Sequence, residues 1–284
     1  MEEGFKPTQV VKIKNGDGSE TTFPVYDLNV LRAGILYTDD IPPEIPQQII
    51  DNCKRVPGRL ELHPEPRDEP IAIVGYGPSL KEYWQELRKF PVIMSTSGAH
   101  KFLLDRDIIP TYHVDVDFRA RKAVHTKPAH PDVEYLLSSM VHSDLLDNVQ
   151  NYRHKLWHIK LSGIKYPEGD LVLDGYWDVG QEAILVAKAL GYRNLHLFAY
   201  DYAYDMSDGS THAGFHNGPP SSRIFAKIGE RFYFTSDSLA RGVMTFTKLM
   251  EDNSDLRLNF YTDGLLTAFL TEHYKEAKDE TKHH

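Results

Sequence analysis

The stretch Ile71–Lys81, IAIVGYGPSLK, constrains this chain most. Ile71–Val74 is an unbroken apolar run, short enough for a strand buried on both faces, and it stops at Gly75. The turn Gly75-Tyr76-Gly77-Pro78-Ser79 follows, and Leu80–Phe90 then has the apolar spacing of an amphipathic helix. A strand, a glycine turn and a helix start together suit an anion: glycines admit close approach, and the first helical N–H groups point outward. Pro78 fits near the helix start, where its missing N–H costs nothing. The same residues also fit a plain βα turn. A dinucleotide fingerprint needs a third glycine, and none follows Gly77 as far as Phe90, Trp84 and Gln85 included, so NAD is not indicated. Spacing alone leaves phosphate site and structural turn side by side.

From Ile71 onward the pattern alternates. Strands are expected at Pro91–Ser95, Tyr112–Val116, Leu156–Leu161 and Leu195–Ala199, and helices at Ala99–Asp105, Val133–Leu137 and Val179–Leu190. The predicted fold class is α/β, a Rossmann-like, mostly parallel sheet with helices on both faces, in a domain spanning residues 71–284. Residues 1–70 are expected to form an N-terminal extension. Within it Val10–Lys14 and Thr21–Tyr26 flank the hairpin signal Asn15-Gly16-Asp17-Gly18. Helices are expected at Leu28–Leu36 and Gln47–Arg55, and Glu61–Pro70 reads as a proline-rich linker. Ligands of such sheets bind beyond the carboxyl ends of the strands, so residues just after strands matter most.

Charge and cysteine content narrow the function classes. The net charge of −9 argues against a surface built to wrap nucleic acid. The single cysteine, Cys53, excludes an intramolecular disulfide and a cysteine-based zinc site. It reads as an inert helix residue, with no histidine pattern beside it. No apolar run is long enough to span a bilayer, and the acidic, polar start MEEGFKPTQ is not a secretory signal, so a cytoplasmic location is expected. The terminal His283-His284 is left out of the reading.

Three post-strand sets hold chemistry-bearing residues. Ser95, Thr96, Ser97 and Gly98 suit a base, ribose or phosphate, and equally suit an ordinary helix cap. In His113-Val114-Asp115-Val116-Asp117, alternation puts Asp115 and Asp117 on one face, where two carboxylates suit Mg²⁺ or Mn²⁺ bridging a diphosphate; a metal-free sugar contact also fits. Arg119, Arg121 and Lys122 follow, placed to hold phosphate or pair with the aspartates. The loop Tyr200–Asn217 holds Asp201, Asp205, Asp208, His212 and His216. Ordering so polar a loop suggests function, with His212 or His216 as a general base.

These sets, in this order, resemble the MptE-like family, which includes archaeal 6-hydroxymethyl-dihydropterin diphosphokinases and the central domain of bacterial Maf flagellin glycosyltransferases. VGYGPSLK (74–81) is similar to the family's strand–GxGPSL opening, and STSGAHKFLLDRDIIPTYHVDVD (95–117) to its small-residue turn, helix, "GI-x-P-x-Y" and strand ending in aspartate. DVGQEAILVAKALGYRNLHLFAYDYAYDMSDGSTHAG (178–214) resembles its "G-x-x-A-x-x-x-A-x-x-LG-x-x-x-I-x-L-x-G-x-D" unit and "DG-x-THA" loop, and DLRLNFYTDGLLTAFL (255–270) its closing strand. Departures are Asp107 in place of the usual glycine, Ala199 and Tyr200 at the strand end, and an inserted Met206.

A fainter likeness runs to bacterial sialyltransferases that use CMP-sialic acid. It implies that Gly75, Gly77, Pro78 and Ser79 line the nucleotide phosphate and ribose, and that Ser95–Ser97 lie near base or sugar. Asp115 joins this nucleotide-binding set, and His212 or His216, with Asp201, would form the catalytic group. The expected ligand is therefore a nucleotide or nucleotide-sugar. The leading expectation is a glycosyltransferase, possibly using a CMP-linked sugar, acting on a small-molecule, glycan or protein acceptor. The alternatives are a Mg²⁺-dependent diphosphokinase passing diphosphate from ATP to a hydroxymethylpterin-like molecule, with Asp115 and Asp117 on the metal, and a non-catalytic nucleotide-binding module.

Overall fold

The computed structural model describes residues 7–14, 18–27, 42–214 and 223–280. In chain order they form β1 (Gln9–Lys14), β2 (Glu20–Asp27), α1 (Ile45–Arg55), β3 (Arg67–Val74), α2 (Leu80–Tyr83), β4 (Ile93–Thr96), α3 (Ala99–Leu104) and β5 (Tyr112–Asp115). There follow β6 (Glu134–Ser138), α4 (Ser143–Val149), β7 (His154–Ile159), β8 (Val172–Leu173), α5 (Val179–Ala189) and β9 (Tyr192–Phe198). The chain closes with β10 (Arg223–Ile228), β11 (Arg231–Ser236), α6 (Asp237–Asp252), β12 (Arg257–Tyr261) and α7 (Leu265–Glu280).

The main sheet has eight strands in the order β12-β9-β3-β4-β5-β6-β7-β8, all parallel. It is an α/β Rossmann-like sheet, as the alternation predicts. Strand periodicity explains why β3 reads as a continuous apolar run. Ile71 and Ile73 join the core on the face covered by α5, whereas Ala72 and Val74 join the core of Leu80, Leu87, Phe102 and Leu103 on the other. Each fully buried isoleucine contributes about 1.5–3 kcal/mol. From β3 the chain proceeds to β4 on one side, and from β9 to β12 on the other, so β3 and β9 flank the topological switch. That crevice places the site.

The expected hairpin forms: β1 pairs antiparallel with β2, Gln9 opposite Val25 and Lys14 opposite Glu20. It is not a free-standing extension, because β2 pairs in parallel with β10 in a second sheet, β1-β2-β10-β11. The β10–β11 hairpin and α6 have no counterpart in the sequence reading. The helix expected at Leu28–Leu36 lies outside the described residues.

Three expectations need correction. Val133–Leu137 is not helical: Glu134–Ser138 is β6, paired on both sides, since a five-residue segment between two strands is stabilised by ladder bonds that a helix of that length lacks. Leu80–Phe90 is one α-helical turn followed by a 3₁₀ segment, Trp84–Lys89, in which Leu80 and Leu87 reach the core. Glu61–Pro70 is not a linker. β3 begins at Arg67, with an irregularity between Arg67 and Pro70 that accommodates the proline, and the His63 and Arg67 amides bond to Ala189 and Gly191. The preceding α1 is also docked, because Asn52 donates to the Ser139 and Val141 carbonyls at 2.9 and 2.7 Å.

Candidate active site

A cavity of about 660 Å³ opens at the carboxyl ends of the strands. Of the residues singled out in the sequence, Gly75, Gly77, Thr96, Ser97, Asp115, Asp117, Asp201 and His212 line it, whereas Pro78, Ser79 and Ser95 do not. His216 lies outside the described residues. Ser97, Ala199 and Tyr202, all in the wall, hold φ values of 44°, 58° and 52°, a left-handed conformation that non-glycine residues rarely adopt. The family patterns have glycine at the positions of Ala199 and Asp107, and Asp107 also has a positive φ, 55°. The backbone here asks for glycine whichever residue fills the place.

The glycine turn after β3 approaches protein backbone. A Cβ on Gly75 would lie 2.7 Å from the Ala199 carbonyl, and one on Gly77 would strike both that carbonyl, at 2.6 Å, and the Asp201 carboxylate. The amides expected to be free for an anion are already committed: Gly75 N–H donates to Phe198, Gly77 N–H to Ala199 and Ser79 N–H to Asp201. The four-residue α2 offers no further cradle.

Asp201 itself is fully occupied. Its Oδ2 accepts from the Ser79 amide at 2.8 Å, and its Oδ1 from the Ser79 hydroxyl at 2.5 Å and from Thr262. Burial raises its pKa against the opposing pull of these bonds. The geometry thus makes Asp201 a brace between the β3 turn, β9 and the segment after β12, instead of a group placed for catalysis.

Other expected contacts also turn inward. Ser95 Oγ lies 3.1 Å from His113 Nδ1, and Thr96 Oγ1 donates to the Val74 carbonyl at 2.9 Å. In the loop after β9, Asp205 accepts from the Ser207 amide and hydroxyl, and Asp208 from the Ser210 amide and from Lys81. The Ala213 amide donates to the Tyr76 carbonyl. These bonds fold the loop back over the glycine turn and bring His212 against the Tyr76 ring, 5.4 Å between centroids, with its Nδ1 2.6 Å from Thr211 Oγ1.

The carboxylates expected to share a metal are separately partnered. Asp115, fully buried at the end of β5, accepts from the Val116 and Asp117 amides through Oδ1 and faces His125 Nδ1 at 3.0 Å through Oδ2. Asp117 is gripped by Arg119 through Nε at 2.7 Å and Nη2 at 2.5 Å. Burial would raise the Asp117 pKa, but the guanidinium outweighs it and holds the carboxyl below its usual value. Among the described residues no group of three histidine, cysteine, aspartate or glutamate side chains is arranged to hold a metal ion. Mg²⁺ on this pair would have to displace both Arg119 and His125, so these residues, as placed, do not fit it.

His125 is the residue the sequence reading missed. It sits in the 3₁₀ segment Ala120–Thr126, mostly buried, in the cavity wall. In a neutral imidazole, a carboxylate on Nδ1 favours the tautomer with the proton there, which leaves Nε2 as the acceptor. Lys122 from the same segment and the 47%-exposed Arg119 also line the cavity. Burial lowers the Lys122 pKa, partly offset by Asp117.

Behind this wall lie His100 and His113, fully buried, with ring centroids 4.6 Å apart. Burial lowers the His100 pKa to about 4 and that of His113 well below the ordinary value. On the α5 side, Asp178 caps the helix by accepting from the Gln181 amide and also accepts from the Tyr202 hydroxyl at 2.7 Å. Tyr200 donates to the Gly180 carbonyl at 2.9 Å. The loop after β9 is therefore fixed to the start of α5 as well.

An all-parallel α/β sheet with a cleft at its switch point defines the Rossmann-like class of α/β proteins. Within that class, the family model described as 6-hydroxymethylpterin diphosphokinase MptE-like matches residues 47–207, more than half of the chain, and the chain belongs to this family. The Maf glycosyltransferase from Magnetospirillum magneticum AMB-1 is similar in structure, with a TM-score of 0.59 and 16% identity. The match covers 78% of this chain and 37% of that one. This likeness establishes a shared fold and corresponds to about a third of the larger protein. A mammalian sialyltransferase in complex with Gal-beta-1-3GalNAc-ortho-nitrophenol matches at a TM-score of 0.39 and 10% identity, over 77% of this chain and 80% of that one. No curated protein matches in sequence.

Proposed function

We propose that the chain is a nucleotide-dependent transferase that moves a sugar from a nucleotide-sugar donor, such as a CMP-linked sugar, to an acceptor hydroxyl. The observation that carries this reading is the Asp115–His125 pair in the wall of the cleft, beside Arg119 and Lys122. In the reaction the acceptor oxygen forms a bond to the anomeric carbon as the bond to the donor phosphate oxygen breaks. The leaving nucleotide keeps that electron pair. The hydroxyl proton passes to His125 Nε2, and buried Asp115 stabilises the imidazolium that forms. Lys122 and Arg119 supply positive charge for the leaving phosphate, a task the committed amides of the glycine turn are not free to perform. His212 is the second candidate acceptor for the proton. Membership of a family described by a diphosphokinase supports the alternative of diphosphoryl transfer from ATP, although Asp115 and Asp117 are engaged elsewhere.

A thermal-shift screen with CMP, UDP, GDP, ADP and ATP, each with and without Mg²⁺, tests this, since a ligand that binds only the folded chain raises its melting temperature. Stabilisation by a pyrimidine nucleotide without metal is expected. Stabilisation by ATP with Mg²⁺ alone would replace the proposal with the diphosphokinase, and no shift with any nucleotide would end both readings.

A further inference from the structure

Glu182 is the least explained polar residue in the cavity wall. It lies in the first half of α5, a helix otherwise built of buried residues such as Ala183, Ile184 and Val186, and is itself only 1% exposed. Its Oε1 accepts from the Tyr176 amide at 2.5 Å, whereas its Oε2 has no hydrogen-bond partner among the described residues. No cation offsets it: burial, with Asp178 and Asp174 nearby, pushes its pKa well above the carboxylate range, and the Tyr176 amide bond only partly opposes this. This favours the protonated form of the carboxyl, and in either form Oε2 is a buried polar atom with no partner among the described residues. The surrounding wall is apolar and aromatic, with Tyr176, Trp177, Leu161 and Leu239. The cavity's lysine and arginine, Lys122 and Arg119, come from the segment after β5 and are not among the charges acting on Glu182.

We infer that Glu182 anchors a second subsite, which takes an uncharged, hydroxyl-bearing ring — a sugar — lying on Tyr176 and Trp177 with one hydroxyl hydrogen-bonded to Oε2. Aromatic faces suit the apolar faces of such a ring, and a hydroxyl, which both donates and accepts, suits an unpartnered carboxyl oxygen. An anionic ring would meet the carboxyls of Asp178 and Glu182 here, with no cation among the charges acting on Glu182. Under the transferase reading, on which this rests, the subsite holds the acceptor while the nucleotide lies toward Lys122.

Saturation-transfer NMR with three monosaccharide probes tests the assignment: uncharged N-acetylglucosamine, cationic glucosamine and anionic glucuronate. The full chain is compared with Glu182→Gln and Glu182→Ala. The uncharged sugar is expected to bind the wild type best. Glu182→Gln, whose amide still donates, should retain that binding, and Glu182→Ala should weaken it about fivefold to tenfold. Absence of any sugar signal on the wild type overturns the inference. So does preference for glucosamine with loss in Glu182→Gln, or undiminished binding by Glu182→Ala. Should Glu182→Ala not fold, the probe ranking and Glu182→Gln decide alone. Nucleotide thermal shifts on the same samples separate the two readings. Nucleotide binding kept in Glu182→Ala while sugar is lost assigns the loss to the subsite. A wild type that binds sugar but no nucleotide sinks the transferase and leaves the subsite standing.

Discussion

Adding one methyl group at Gly77 tests how the cleft is held together. The Cβ of Gly77→Ala would sit 2.6 Å from the Ala199 carbonyl oxygen and closer still to Asp201 Oδ2, where about 3.4 Å is needed. Neither neighbour can yield cheaply. Ala199 is backbone at the end of β9 in a left-handed conformation, and Asp201 is fixed by Ser79 and Thr262. The turn must retreat by most of an ångström. Overpacking of this kind costs about 1–3 kcal/mol. Retreat also stretches the two bonds from Ser79 to Asp201, worth about 1 kcal/mol each or somewhat more with a carboxylate acceptor. A total near 3–5 kcal/mol is expected, a large share of the roughly 5–15 kcal/mol that stabilises a domain. Urea unfolding followed by circular dichroism reads this as a lower midpoint with an unchanged slope. In the double variant Gly77→Ala/Asp201→Ala the loss should fall short of the sum of the single losses by at least about 1 kcal/mol, because both changes break one brace. A loss below about 1 kcal/mol for Gly77→Ala, or strict additivity in the double variant, would refute the brace.

Three further outcomes follow from the same geometry. Asp107→Gly, at an exposed position with φ of 55°, should stabilise the chain by about 0.5–1 kcal/mol in the same unfolding assay, and no gain would mean that the left-handed conformation costs aspartate nothing here. His100 has a folded pKa of about 4 against 6.5 unfolded, so the unfolded chain binds its proton first as the pH falls. Stability is therefore intact above 6.5 and lost between 6.5 and about 4, by about 3 kcal/mol from this residue, and His100→Gln should show a shallower slope across that window. Lys122→Met should weaken binding of the stabilising nucleotide roughly tenfold by calorimetry, and unchanged affinity would remove Lys122 from the phosphate site.

The fold was legible where local pattern and tertiary environment agree. The β3 run ends in glycines that the end of β9 demands, and α5 opens with an Asp178 cap and continues apolar to Leu190. Legibility failed at β6, whose few residues have no period of their own and are settled by the neighbouring strands, and at β3, where Asp68–Pro70 disguise a strand that bends around its proline. The site was half legible. The post-strand positions were found, but residue type does not reveal whether an aspartate faces ligand or backbone, and Asp201, Asp205 and Asp208 all face the chain. His125 had no signal, because it lies in an irregular segment ten residues from its partner Asp115. Glu182 had one: a glutamate directly before the small and branched apolar run Ala183–Ala187 marks a buried acid.

The most direct measurement is turnover of the nucleotide-sugar whose nucleotide stabilises the chain, compared across wild type, His125→Ala, Asp115→Asn and His212→Ala at saturating donor. The account predicts that His125→Ala lowers kcat by about 10²–10⁴ with the donor KM little changed, that Asp115→Asn lowers it less, and that His212→Ala leaves most of it. Full turnover by His125→Ala, with the loss falling on His212→Ala instead, would contradict the account and move the proton to the loop after β9.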